Sequence, residues 1–221
     1  MGPENEESYD ERYEQYRHGG GDCAYSCDDP RKATQLVTQV ARAFGLSRSF
    51  EGARLLDVGC GLGYISRAFQ LAGATVTAVD FSPPAIAHAR GLHPDIDARV
   101  LRFPDDLRDE STFDIIYARD FSLLNTNDVD RMEKAFFEPC DRVLRKNGIL
   151  LVGWRSDFTG NVDSGNWTNW SHDTMAEMRT RFRLTGPRVT QIPTRVLSET
   201  VLLACRLVHR KIPFYFMKKA R

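Results

Sequence analysis

Three glycines spaced by single residues, Gly59, Gly61 and Gly63, follow the apolar run Leu55-Leu56-Asp57-Val58 and precede a helical stripe. At a strand-to-helix turn, glycine lets the backbone bend tightly and approach a ligand with no side chain in the way. One strand–helix–strand unit further on, the β-rich run Thr75–Val79 ends in Asp80. A carboxylate there can accept hydrogen bonds from both hydroxyls of a ribose. Together they point to a ligand with a nucleoside part. A dinucleotide wants a small residue three positions after its second glycine. Counting from Gly59 that position holds Tyr64, and counting from Gly61 it holds Ser66. This lowers the nicotinamide reading, as does the lack of a second domain to hold a hydride acceptor.

Other residues could act on a second substrate. Arg119-Asp120-Phe121 closes a strong apolar run at the edge where open α/β sheets bind ligands. Asp120 is the leading substrate-facing carboxylate, able to accept a proton or hold a cationic amine; a salt bridge to Arg119 or another cation is the alternative. Trp154, Arg155, Ser156 and Asp157 follow the next strand, and Trp167, Trp170 and His172 come after. Indoles with polar neighbours suit a sugar or an aromatic ring, and equally suit a lid packed on the protein. His172 is a candidate base, although one residue after a helix cap it is more often solvent-facing. Tyr9, Tyr13 and Tyr16 share helical spacing, so they either close over the site on the Gly19–Gly21 joint or form a docking stripe. Cys23, Cys27 and His18 hint at zinc but lack a fourth ligand, so free thiols and no metal are expected. Cys140 follows a proline and could be read as a nucleophile, but it falls on an apolar helical stripe and reads as core. Carboxylates for a catechol-type metal site stand at Asp120 and Asp157, with Phe158 where an amide is wanted.

The elements that must position these groups alternate. Asp29-Pro30 opens a helix whose apolar stripe runs from Ala33 to Phe44 and ends at Gly45. Strands are expected at 54–58, 75–79, 98–101, 113–118 and 149–154, with helices between them. The long helix before 149 should be kinked by Pro139. Ser171 caps a helix carrying Met175, Met178 and Phe182. Two closing strands, at 189–192 and 200–207, have no helical pattern between them and can pair antiparallel. The whole is an α/β chain with a mostly parallel sheet and helices on both faces.

The stretch Leu55–Gly63, Asp80, Phe113-Asp114-Ile115-Ile116, and Asp141-Arg142-Val143-Leu144 with Gly148 resemble the motifs of small class I methyltransferases, over roughly residues 30–155. The resemblance implies a Rossmann-like seven-stranded sheet with a reversed last strand, and S-adenosylmethionine across the carboxyl ends of strands one, two and four. Asp57 would face the amino-acid part of that cofactor, directly or through water; Gly59 and Gly61 would leave room for it, and Asp80 would hold the ribose. The cofactor set drawn from the same stretches adds Cys60, Gly63, Phe81 and Arg119. Relatives place an Asp and a small residue after strand three to meet the adenine, where this chain has Phe103-Pro104. Pro104 has no N–H to give, so Asp105 or Asp106 takes the contact, or Phe103 stacks on the ring.

Composition bounds the partners. Thirty basic and thirty acidic residues give no net charge, which disfavours a nucleic acid. Five scattered cysteines make no disulfide framework, and no signal peptide or spanning apolar run is visible, so a cytoplasmic protein is expected. The expected organisation is an N-terminal lid segment over 1–28, a cofactor-binding domain over 29–210 with a substrate loop at 155–170, and a basic tail at 211–221. That tail could touch an anionic or lipid surface, or be solvated. The reading is methylation of an oxygen or nitrogen on a small-molecule acceptor by a monomer or homodimer. The substrate set is Tyr13, Tyr16, Trp154, Arg155, Trp167 and Trp170. Methylation of a macromolecule or lipid-linked glycan, or cofactor binding without catalysis, are the alternatives.

Overall fold

A computed structural model describes residues 3–17, 29–46, 49–107, 113–189 and 211–220. Helix α1 (Pro3–Arg17) and α2 (Pro30–Phe44) precede a repeating unit of β1 (Arg54–Val58), α3 (Tyr64–Leu71), β2 (Thr75–Asp80), α4 (Pro83–Leu92), β3 (Asp97–Val100) and β4 (Phe113–Arg119). A short 3-10 turn, Ser122–Leu124, leads to α5 (Val129–Met132) and α6 (Glu138–Val143), then β5 (Leu144–Ser156), α7 (His172–Phe182), β6 (Thr185–Val189) and β7 (Ile212–Lys219). The strands form one sheet in the order β3-β2-β1-β4-β5-β7-β6. The first five are parallel, and β7 runs antiparallel to both β5 and β6. This is the seven-stranded α/β sheet with helices on both faces that the alternation predicts.

Local chemistry accounts for the elements. Asp29 caps α2, its carboxylate accepting from the N–H of Arg31 at 2.8 Å, and Gly45 ends the helix in the left-handed region. The α2 stripe Ala33, Leu36, Val37, Val40 and Ala41 is buried with Leu55, Ile115 and Leu151 beneath it. The opposite sheet face buries Leu56, Ile116, Leu150 and Val152 under α5, α6 and α7. Strands covered on both sides read as near-continuous apolar runs, which is why β1, β4 and β5 stand out in the sequence. Pro139 acts one turn earlier than its own position. A π-helical turn, Glu133–Phe137, separates α5 from α6 and contains Ala135, the residue whose carbonyl the proline ring would strike in a regular helix.

The end of the chain departs from expectation where it is described. The closing strands are Thr185–Val189 and Ile212–Lys219; the segment 200–207 lies outside the described residues. The basic tail expected at 211–221 is instead β7, inserted between β5 and β6. Its apolar side chains are buried on both faces, Phe214 and Phe216 on one and Tyr215 and Met217 on the other, so they offer nothing to a lipid surface. Charge at the strand's ends masked it: Lys211 pairs with Asp163, and Lys218 with Asp141. Among the described residues no helix is long and apolar enough to cross a membrane.

Gly153 of β5 faces Tyr215 of β7 in register, and a Cβ there would lie 2.5 Å from the Tyr215 ring. Its absence lets Tyr215 lie across β5 and bring its hydroxyl within 2.7 Å of that of Tyr117. Burial pushes both phenols up, Tyr215 to about 12, so the pair is two neutral hydroxyls. Gly153→Ala is expected to cost about 1–3 kcal/mol through overpacking, read by urea denaturation. An unchanged midpoint would mean that Tyr215 moves freely.

Candidate active site

At the end of β1 the chain turns through Gly59, Gly61 and Gly63 with φ of 74°, 52° and 78°, conformations that side chains oppose. A Cβ on Gly59 would stand 2.9 Å from the ring of Phe121, so the segment after β4 closes directly on the turn. Gly59 and Cys60 both donate their N–H to the carbonyl of Val79 (2.8 and 3.0 Å), which ties the turn to β2. The Asp80 carboxylate then accepts from the N–H of Gly61 at 2.9 Å and of Ser82 at 3.0 Å. Burial pushes Asp80 up, and Asp10 of α1 adds to this, while the two amides oppose it.

These groups wall a cavity of about 740 Å³ at the carboxyl ends of the parallel strands. Its lining runs from Val58-Gly59 through Asp80-Phe81, the segment Leu101–Asp105 after β3, Phe121–Leu123 after β4, and the charged helix face of Asp128, Asp130, Arg131 and Lys134. This is the crevice in which open α/β sheets bind ligands. The sequence singled out Gly59, Asp80, Phe81 and Asp105 on this wall. It did not flag Arg102, Arg131 or Lys134, whose positions in a loop and on a solvated helix face carry no signal.

Several expected members sit elsewhere. Asp57 is buried on the α2–α3 face, accepting from the Ser66 hydroxyl at 2.5 Å; burial raises its carboxyl to about 7, with Ser66 opposing and Asp80 assisting. Cys60 is a buried wall of the turn with its thiol pushed well up by burial. Asp106 accepts from the N–H of Arg102 at 2.9 Å and does not line the cavity, whereas Asp105 does. Phe103 lines it too, with its ring packed against Phe121 and Phe136, both at 5.8 Å between centroids. Arg119 stands outside the cavity lining, with its Nε 3.5 Å from Asp120.

The tryptophans expected to meet the acceptor are core. Trp154 stacks between Trp167 at 4.1 Å and Trp170 at 4.9 Å. Each indole N–H is spent on a backbone carbonyl, those of Thr168, Arg155 and Leu124 respectively for Trp154, Trp167 and Trp170. The loop 155–170 is bound down: Asn125 accepts from Thr168 N–H at 2.7 Å, and Asn127 donates to the Gly160 carbonyl at 2.9 Å. All three indoles are packed within the protein, with their N–H groups spent on its own backbone. His172 starts α7, half-buried and stacked on Phe158 at 5.1 Å, away from the cavity lining. This placement supports no role as a base.

Tyr13 is buried against Leu62 of the glycine turn, Ala85 and Tyr64. Its carbonyl lies 3.1 Å from His88 Nε2, Tyr9 meets Phe81 edge-on at 5.7 Å, and Asp10 accepts from the Ser82 hydroxyl at 2.5 Å. Helix α1 thus docks on α4 at the Asp80 corner through Tyr9, Asp10 and Tyr13. The Tyr16 side chain, and His18, Cys23 and Cys27, lie outside the described residues. Among the described residues no group of His, Cys, Asp or Glu could hold a metal ion.

Asp120 and Arg155 remain at the upper edge of β4 and β5. Asp120 has φ of 53° and donates its N–H to the Gly153 carbonyl at 3.0 Å. Its carboxylate is almost wholly buried, with Oδ2 3.0 Å from Arg155 Nε, while Oδ1 has no hydrogen-bond partner. Burial pushes this carboxyl up and the two guanidiniums oppose.

Comparison with known proteins fits this geometry. Residues 56–152 match the family model described as a methyltransferase domain. The chain is 31% identical over 131 residues to a ubiquinone biosynthesis O-methyltransferase of Pelagibacter ubique, covering 56% of this chain and 52% of that one. It is 33% identical over 135 residues to the Xanthomonas oryzae enzyme of the same name, covering 58% and 54%. The chain spans about half the length of the curated relatives it matches. Its fold superposes on magnesium protoporphyrin IX methyltransferase from Synechocystis with bound S-adenosylmethionine, with a TM-score of 0.60, 12% identity, and coverage of 96% of this chain and 94% of that one. The methyltransferase-domain match over residues 56–152, the glycine turn with its Asp80 anchor and the reversed β7 make this chain similar to the class I S-adenosylmethionine-dependent methyltransferases.

Proposed function

We propose that the chain transfers a methyl group from S-adenosylmethionine to a hydroxyl oxygen of a small-molecule acceptor. The carrying observation is the Asp80 carboxylate, fixed by the Gly61 and Ser82 amides on the wall of a cavity at the strand ends. The residues present fit the cofactor. Asp80 offers lone pairs to the ribose hydroxyls, the glycine turn leaves its backbone bare, and Asp105 stands on the wall where the adenine amine is expected. Asp57, buried against Ser66 behind the glycine turn, is the carboxylate that would meet the amino-acid end, directly or through water.

The bound cofactor supplies an electrophilic methyl on a sulfonium that leaves as a neutral thioether. Little charge develops on the leaving group, so the chain's task is to align the acceptor oxygen with the methyl carbon and sulfur. The acceptor oxygen forms the new C–O bond as the methyl–sulfur bond breaks, with that electron pair staying on sulfur. The hydroxyl proton passes to Asp120, whose Oδ1 is without a partner and whose pKa is raised by burial. Oxygen is favoured over nitrogen as the target by this open acceptor atom and by the O-methyltransferase names of the relatives.

Calorimetric titration with S-adenosylmethionine and S-adenosylhomocysteine tests the reading. Micromolar binding is expected. Asp80→Ala should weaken it roughly 10- to 100-fold, since hydrogen bonds to a charged group contribute about 1.5–3 kcal/mol. A folded protein that binds neither ligand overturns the proposal.

A further inference from the structure

The Asp120–Arg155 pair has two open ends. Asp120 is held in a left-handed backbone conformation, by its N–H bond to Gly153, at the ligand-binding edge of the sheet. Non-glycine residues rarely adopt that conformation, and such strain gathers at functional sites. One carboxylate oxygen faces two guanidiniums, Arg155 Nε at 3.0 Å and Arg119 Nε at 3.5 Å. The other oxygen is buried with no donor, a state costly enough that it calls for an explanation. Arg155 is the complement. Its Nε stands 3.0 Å from Asp120 Oδ2 as an ion pair without hydrogen-bond geometry, and its guanidinium lies over the Trp167 ring at 5.2 Å, which fixes its plane. Its two Nη groups make no hydrogen bond among the described residues, and its side chain is 31% exposed.

Three cations, Arg119, Arg155 and Lys211, act on the Asp120 carboxylate, and Lys211 is itself paired with Asp163. A planar guanidinium fork with two free N–H groups matches the two oxygens of a carboxylate or phosphate. The bare Asp120 oxygen requires an N–H or O–H donor. A neutral acceptor would leave the fork unfilled, and a cationic one would be repelled by the Arg155 guanidinium.

We infer that the acceptor carries an oxyanion, carboxylate or phosphate, beside the hydroxyl that is methylated, with Arg155 receiving the oxyanion and Asp120 the hydroxyl. The inference rests on the methyl-transfer reading above and narrows the acceptor to hydroxylated acids. Arg155 becomes the specificity-determining residue, and Trp167 a positioning residue that sets the plane of the fork.

The test uses the full chain saturated with S-adenosylhomocysteine. By calorimetry, 3,4-dihydroxybenzoate is compared with its methyl ester, and glycerol 3-phosphate with glycerol, so that carboxylate and phosphate are read separately. At least one charged probe is expected to bind about tenfold tighter than its neutral twin or better, and Arg155→Gln to abolish that preference. Asp120→Asn is expected to tighten the charged probe several-fold, because it removes the carboxylate competing for Arg155. A pair with a purely structural role would give weaker binding or loss of fold in that variant. Equal affinities within both pairs of probes, or an Asp120→Asn protein that binds the charged probe more weakly, overturns the inference. The S-adenosylhomocysteine titration comes first on the same preparation: its failure removes the methyl-transfer reading itself, before any probe is added.

Discussion

Asp57→Asn is expected to make the protein more stable at pH 8 by up to about 4 kcal/mol. Asp57 is 2% exposed, and burial raises its carboxyl from 3.8 to about 7, with Asp80 assisting and the Ser66 hydroxyl opposing. The folded protein therefore binds a proton that the unfolded chain has already released over that pH interval. Stability falls as pH rises wherever the native state holds more protons. The penalty from Asp57 is absent below about pH 4, grows through the interval and is complete above about pH 7. At about 1.4 kcal/mol per pH unit it amounts to about 4 kcal/mol, and more than half of it accrues between pH 5 and 8. Asparagine keeps the shape and an oxygen for the Ser66 hydroxyl to meet, and it carries no charge to desolvate. Urea denaturation of both proteins at pH 5 and pH 8 separates this group from Asp80, whose carboxyl is raised in the same sense and is common to both. An Asp57→Asn protein less stable than its parent at pH 8 would show that the charged form is well accommodated. The same substitution should weaken S-adenosylmethionine, since the reading gives Asp57 the cofactor's cationic amino-acid end. A carboxylate kept at a stability cost is common where function needs the charge.

Trp154→Ala carries the other large effect, a loss of about 3–5 kcal/mol. Trp154 is 1% exposed, lies between two parallel indoles and spends its N–H on the Thr168 carbonyl. Its removal leaves an indole-sized void and unpairs a buried carbonyl. The loop 155–170 rests on that stack, so Trp167 and Trp170 lose a partner too. At about 2–4 °C per kcal/mol for a chain of this size, Tm should fall by about 10 °C. S-Adenosylhomocysteine affinity, measured below the transition, should change little, because Trp154 does not line the cofactor cavity. A stability loss under about 1 kcal/mol would place the indole against an acceptor instead.

The sequence alone determined the local grammar of this protein. Asp29-Pro30 and Gly45 bound α2, the apolar runs that mark β1, β4 and β5 are strands buried on both faces, and the glycine turn with Asp80 forms the cavity's anchor. Each of these is dictated by neighbours in the chain or by the period of one element. The structure alone decided what depends on partners far away in sequence. The basic, aromatic segment 211–220 reads as a tail because its charges are visible in the sequence; their distant partners Asp163 and Asp141 are not. The three tryptophans read as binding groups or as core until their indole N–H groups find carbonyls 12 to 46 residues away. Asp57 and Asp80 are both motif carboxylates, yet the alternation of side chains along β1 sends Asp57 to the α3 face while the end of β2 leaves Asp80 on the cavity wall. Asp120 was legible as a carboxylate at a strand end. Its left-handed backbone, its unpartnered oxygen and the open fork of Arg155 beside it exist only because β4 and β5 lie next to each other in the sheet.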